Sequence, residues 1–317
     1  MMSVLWRRGV VYLLAALAIV YVGYRLPGLL PGDYVTTVYG GAEVVLTADQ
    51  EQLLRARYAA ADNFFSYLQN LLLLDWGESW AHKTPVFTLI MAALPWTLLL
   101  MGGAHLLATA LGMIAGVEAA WRRGGRLEKA GVGSMTLLQG VPELALGVVL
   151  LLVFSYQLGW LPAGGGLSAY AEAGTGGLLL DLLRHLLLPL ATLVLAWFPG
   201  NFLLARASMV LVLRQPFLVT ARAKGLPPWR VRYRHAARNV LLPLVTRFGL
   251  RLAFMVTGAL VVETLFAYPG LGTLLYQAIS LRDLPLVQGI VLAAILALLA
   301  VNLGLELLYG RLDPRTW

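Results

Sequence analysis

Three ionisable side chains stand in or beside long apolar runs: His105, Glu143 directly after Pro142, and Glu263. A carboxylate or imidazole is costly in hydrocarbon, so such a residue marks a solute pathway, a proton relay or a buried partner. Glu143 is the strongest candidate to line an aqueous pathway, where its charge would attract cationic groups of a solute. His105 is a second pathway candidate, but it reads more readily as a neutral, hydrogen-bonded packing residue, because neutral histidine is cheaper to bury than a charge. Glu263 is expected near the outer interface, with its carboxylate reaching water.

Catalytic chemistry finds no footing. The lysines are Lys83, Lys129 and Lys224, and none follows the G-x-x-x-x-G of a phosphate-cradling loop. The histidines, at 82, 105, 185 and 235, include no i, i+4 pair and no H-E-x-x-H that would seat a metal. Ser134 and Ser168 lack the flanking glycines of a nucleophile elbow. With no cysteine, thiolate catalysis, disulfides and Cys-ligated metals are excluded. The chain is therefore read as non-enzymatic, with no catalytic, cofactor or metal site of its own.

A different kind of site is written in Thr220-Ala221-Arg222-Ala223-Lys224-Gly225, followed by Leu226-Pro227-Pro228. From Arg206 to Arg251 there are ten Arg or Lys and no Asp or Glu. Phe217 to Gly225 reads as a short helix on which Phe217, Leu218, Ala221 and Gly225 share a face, with small residues admitting another surface closely. Gly225 supplies the left-handed stop, Leu226 projects, and the prolines turn the chain into a second stretch from Trp229 to Leu242. A loop that only holds topology would explain the arginines but not this small-residue, glycine-stopped pattern. It reads as a docking surface for something acidic or grooved.

The elements that position these residues are membrane spans. The 317 residues are 59% apolar and 13% charged, with a mean hydropathy of +0.76, against an apolar share of ~45–50% in soluble domains. Spans of ~20 apolar residues are expected at about 9–30, 88–117, 132–158, 185–205, 248–268 and 286–308, in one transmembrane domain covering 1–317. The Arg7-Arg8 pair before the first run could open a signal peptide, but no small-x-small site follows, so an uncleaved span is expected. The outer loop at 31–85 holds seven acids against Arg55, Arg57 and Lys83, with an interfacial helix expected from Asp62 to Leu74. The connection with Arg122, Arg123, Arg126 and Lys129, and the segment 206–247, are basic and read as cytoplasmic. Arg7, Arg8, Arg311 and Arg315 put both termini on that side. The net charge of +8 follows this topology and not a nucleic-acid surface.

At the basic segment the sequence resembles the permease subunits of ATP-binding-cassette importers of the dipeptide, oligopeptide and nickel family, and specifically the first of their two paired permeases. The resemblance continues in Arg234 to Pro243, Leu30-Pro31-Gly32-Asp33, Leu94-Pro95-Trp96-Thr97 and Leu158 to Gly164. It extends through Val261 to Gly272, Ala278 to Gly289, Asn302, Tyr309 and Leu312 to Arg315. Departures occur at Gly140-Val141-Pro142-Glu143-Leu144, where the family usually carries an S-x-P-x-F/W-like stretch, and at Arg57 to Asp62 and Leu74 to Ser79 of the outer loop.

The resemblance implies an all-α, six-span permease of the type I importer kind in a bacterial or archaeal cytoplasmic membrane. It further implies a second similar permease, two cytoplasmic ATPase subunits that use the ATP, and an extracytoplasmic solute-binding protein. Ala221, Arg222, Ala223, Lys224, Gly225 and Leu226 would couple to the ATPases. Short peptides are the family's usual cargo; nickel chelates, oligosaccharides and peptide-like toxins are the alternatives. A membrane-embedded enzyme or scaffold, the rival from another class, would need an acid/base or metal cluster, or a free-standing interaction domain, and the sequence holds neither.

Overall fold

The structure, a computed structural model, describes residues 2–25, 63–168, 175–253 and 255–312, with positions 47, 49, 50, 52 and 53. Much of the first half of the outer loop expected at 31–85, the matching stretch at 30–33 and residues 313–315 lie outside the described residues. What is described is almost entirely helical. The helices are α1 (Met2–Arg25), α2 (Phe64–Leu72), α3 (Val86–Trp121) and α4 (Arg126–Gln139). They continue with α5 (Glu143–Gln157), α6 (Thr175–Val212), α7 (Pro216–Ala223) and α8 (Leu241–Ala253). The last are α9 (Met255–Leu265), α10 (Leu271–Ser280) and α11 (Leu284–Leu312).

Among the described residues, three stretches are long and apolar enough to cross a membrane: Val86–Trp121, Gly176–Val212 and Leu284–Gly304. A fourth is formed by α4 and α5 together, but bent by 96° between them. The third expected span, 132–158, is therefore broken and not one straight rod. The cause is local: Pro142 biases Val141 away from helical geometry, while its own fixed φ suits the entry to α5. The first expected span appears as the shorter apolar helix Gly9–Arg25, and the fifth overlaps the end of α8 and the whole of α9. The interfacial helix is present as α2, capped by the Asn63 side chain, which accepts from the Ser66 N–H at 2.8 Å. It rests on α1 through Phe64 against Tyr21 and Tyr24.

The centre of the fold is the contact of α3 with α6. Ala104, Ala108, Gly112, Gly116 and Ala120 recur every fourth residue and are all buried, forming one face of the helix. A Cβ at Gly112 would lie 2.6 Å from the Asn201 Cβ, and one at Gly116 would lie 2.5 Å from the Phe202 carbonyl oxygen and 2.8 Å from the Ala205 Cβ. The two backbones thus approach as closely as glycine permits, the packing by which helices associate in lipid without a hydrophobic driving force. Asn201 Nδ2 also donates across the pair to Thr109 Oγ1 at 3.3 Å.

Stretches far apart in sequence meet at the end of the bundle away from the basic segment. Trp96 packs edge-on to Tyr268, with centroids 5.6 Å apart, and the Gly165 N–H donates to the Phe266 carbonyl at 2.9 Å. A Cβ at Gly166 would meet Pro269 at 2.8 Å and Trp96 at 2.9 Å. Similarly, Ser79 Oγ and the Ala81 N–H donate to the buried Asp283 carboxylate at 2.5 and 3.0 Å. Asp283 thereby ties the turn before α3 to the turn between α10 and α11.

Replacing Gly116 with leucine forces α3 and α6 apart. Overpacking typically costs about 1–3 kcal/mol, and here backbone is the obstacle, so the detergent-solubilised protein should lose several degrees of thermal stability. Gly133→Leu, at a position with nothing within 4 Å of an added Cβ, should leave the midpoint nearly unchanged in the same melt.

Candidate functional site

The basic segment folds as expected in outline. α7 starts at Pro216, favoured at a first helical position, and the chain leaves it through Gly225 at φ +69°, where only glycine is unstrained. The orientation of its side chains is less expected. Leu218 and Ala221 point inward, at 1% and 6% exposure, into one apolar cluster with Val117, Ala120, Ala205 and Met209 of the α3–α6 pair and with Val231, Ala236, Ala237 and Val240, the helix packing chiefly on Val231–Ala236. Leu226 does not project; it packs against the same cluster. Exposed instead are Phe217, Val219, Thr220, Arg222, Ala223, Lys224 and Gly225. Of the six expected coupling residues, Ala221 and Leu226 anchor the segment while Arg222, Ala223, Lys224 and Gly225 face outward.

Acidic partners for this basic segment come from the chain itself. Glu118, near the end of α3, forms an ion pair with Arg232 and accepts from Tyr233 Oη at 2.6 Å. Glu128, in the first turn of α4, forms an ion pair with Arg206 of α6 and accepts from the Gly124 N–H at 2.9 Å. Arg232 also lies 4.8 Å and Arg222 5.8 Å from the Trp121 ring centre. The hydrogen bond to Glu118 is the chief cause holding the Tyr233 phenol above its usual pKa, with burial adding to it. A cavity of about 460 Å³ opens between these pairs, lined by Glu118, Glu128, Phe202 and Arg232 among others. Glu118 and Glu128 were not singled out from the sequence; each is a lone acid among arginines, and only the bundle brings its partner close.

The intramembrane candidates separate. His105 is 2% exposed, stacked on Trp197 at 4.1 Å and edge-on to Phe248 at 5.8 Å, which fits its packing role. Glu143 is half-buried at the start of α5, where it interacts with Trp197 and electrostatically with Arg251. Glu263 departs from expectation: it is fully buried and does not reach water. Its carboxylate accepts from Thr97 Oγ1 at 2.7 Å, the Gly272 N–H at 2.7 Å and the Thr273 N–H at 3.2 Å. The first turn of α10 thus supplies N–H groups that stand in for water. Gly270 and Gly272 leave room for the carboxylate, since a Cβ at either would run into it.

Ser134 Oγ donates to the Gly131 carbonyl at 3.1 Å and Ser168 Oγ to Asp181 at 2.7 Å, so neither faces a histidine base. No cluster of three potential metal ligands occurs among the described residues.

A bundle of apolar helices with a glycine-stopped, outward-facing lever at the end of its central pair has the make-up of a membrane transport component. The chain belongs to the family described as "binding-protein-dependent transport system inner membrane component", whose pattern matches residues 108–317. It is a multi-pass cytoplasmic-membrane permease subunit of an ATP-binding-cassette importer. Among its relatives is the Di/tripeptide transport system permease protein DppB of Pseudomonas aeruginosa, 37% identical over 312 residues and covering 92% of each chain. The Oligopeptide transport system permease protein AppB of Bacillus subtilis is 33% identical over 314 residues, covering 98% of this chain and 97% of its own. The Glutathione transport system permease protein GsiC of Salmonella choleraesuis is 33% identical over 287 residues, covering 90% and 89%.

Glu118→Gln keeps the shape but removes the charge that holds Arg232. Breaking a part-buried pair of this kind costs about 1–3 kcal/mol, less than a fully buried one because the cavity admits water. The segment should then open more often, and trypsin should cut after Arg222 and Lys224 roughly tenfold faster, since cleavage follows the open population. An unchanged rate would mean that the ion pair does not hold the lever.

Proposed function

We propose that this chain is the first of two paired permeases in an importer of short peptides or similar small solutes. In this reading it has six spans with both termini cytoplasmic, an outer loop at 31–85 that meets the binding protein, and a coupling segment at 206–247. Its partners are a second, similar permease, two ATPase subunits that bind and hydrolyse the ATP, and an extracytoplasmic solute-binding protein. The chain itself holds no cofactor. The peptide class is supported by the relatives' names, two of which refer to peptide transport systems and a third to glutathione, itself a small peptide. Nickel chelates, oligosaccharides and peptide-like toxins remain the alternative cargoes of the same machinery.

The observation that carries the coupling role is the two-sided lever. Its inner face joins, through Leu218 and Ala221, the apolar cluster that the end of the α3–α6 pair shares with Val231–Ala236, while its outer face presents Val219, Thr220, Ala223 and Lys224 to the surroundings. ATP-driven closure of the ATPases would press on that outer face and move the pair as a body between two discrete arrangements. Arg222 lies at the boundary, exposed yet near Trp121, and Gly225 fixes where the lever ends. Glu143 is assigned to the pathway wall, with His105 behind it supporting Trp197.

The test is reconstitution of the assembled importer in vesicles with a loaded binding protein. Val219→Asp and Ala223→Asp place a charge on the outer face and should lower ATP-driven uptake at least tenfold while the purified subunit melts normally. Gly225→Pro should uncouple hydrolysis from uptake in the same way. A bulky residue at Ala221 should fail differently, by lowering the melting temperature. Normal uptake by both aspartate variants would remove the docking role.

A further inference from the structure

Trp197, near the middle of the Gly176–Val212 span, is met by charges from two other helices. The Arg251 guanidinium, from α8, lies 5.6 Å from its ring centre. Glu143, at the start of α5, interacts with the same indole and with Arg251 through space. Arg247, one turn before Arg251, donates to the Gly200 carbonyl at 3.2 Å and fills the space a side chain at position 200 would take. His105 closes the other contacts of the indole and of Phe248. Arg247, Arg251 and Glu143 are each neither fully buried nor fully exposed.

Two guanidinium groups against one carboxylate leave this cluster with one positive charge in excess. Arg247 is partly satisfied by a carbonyl. Arg251 is not: its fork is matched by no described hydrogen-bond acceptor, and it faces an aromatic ring and a carboxylate too far away for an ion pair. A guanidinium set among apolar helices without an acceptor is costly, and its geometry suits bidentate binding of a carboxylate. The break at 140–142 adds a second donor set. α5 begins there with Pro142 as its cap and no capping side chain, so the first N–H groups of the helix remain open. A helix that starts inside the membrane presents its positive end to anionic solute groups.

We propose that Arg251, backed by Arg247 and by the open start of α5, is a mid-membrane station for the carboxylate of the passing solute. Glu143 acts as the internal competitor that keeps the site from holding on too tightly. The proposal rests on the importer reading and deepens it, assigning anion recognition where Glu143 alone suggests attraction of cations. For short peptides the C-terminal carboxylate is the group present whatever the side chains, so one station serves a varied cargo.

The test separates this site from the selectivity of the binding protein. The assembled importer, in lipid nanodiscs without binding protein, is dialysed against radiolabelled N-acetyl-dialanine or its C-terminal amide, both nucleotide-free and ATP-trapped. In at least one of these states the acid should bind about tenfold more tightly than the amide, a difference of about 1.4 kcal/mol. Arg251→Gln should erase the difference, and Arg251→Lys, which keeps the charge without the fork, should retain part of it. Glu143→Gln should enlarge it. Equal binding of acid and amide in both states, no binding of either, or an acid preference that survives Arg251→Gln would overturn the station. Should Arg251→Gln not fold, the acid–amide comparison in the unaltered importer and in Arg251→Lys decides. Failure of ATP-driven uptake with loaded binding protein would instead overturn the importer reading.

Discussion

The close approach of α3 to α6 is the constraint on which the remaining structure depends. In lipid, apolar side chains gain nothing from leaving their surroundings, so helices must be held by packing and by polar contacts. Ala104, Ala108, Gly112, Gly116 and Ala120 provide the packing, and the α6 backbone comes closest at Gly112 and Gly116. Every functional element is hung from this pair. Trp197 and His105 meet across it in mid-span, Arg206 extends from α6 toward Glu128, and Glu118 extends from α3 toward Arg232. The lever of α7 packs chiefly on Val231–Ala236 and through Leu218 and Ala221 joins the apolar cluster at the end of the same pair.

Carboxylates are the second organising device, used as connectors and not as reagents. Glu263 and Asp283 are both fully buried, and each accepts three hydrogen bonds. A buried carboxylate is tolerated only when donors replace its water, so each one fixes the turn that supplies them. Glu263 joins α3, α9 and α10, while Asp283 joins the turn before α3 to the start of α11. At the basic end Glu118 and Glu128 do the same work with arginines. The lever is therefore attached by apolar contacts on its inner face and by charge along its second stretch.

Much of this was legible in the sequence, for identifiable reasons. Long apolar runs, the basic segment and the Gly225 stop are local signals, and the structure carries three of the six expected spans, the short helix and its stop at nearly the expected positions. The break at Gly140-Val141-Pro142 was present as a Gly-x-Pro inside an apolar run, but hydropathy does not register a bend. The four-residue spacing of small residues in α3 was equally visible, although its meaning depends on the bare backbone of α6 opposite. Glu263 was placed at the interface because its partner Thr97 lies 166 residues away. The inward turn of Ala221 was hidden for the same kind of reason: a short helix with small residues on one face can offer that face to a partner or to its own bundle.

The measurement that bears most directly on the account is the distance, by pulsed electron paramagnetic resonance, between spin labels at Gln215, at the entry to the lever, and Leu111 on α3. Both side chains are exposed, and neither belongs to the docking face, so labels there leave the packing intact. In the assembled importer, ATP trapping should leave this distance unchanged to within ~1–2 Å, because lever and central pair move together as one body. A change of about 5 Å or more within the chain would mean that the lever slides or detaches on its own, and would contradict the claim that the α3–α6 contact carries the motion.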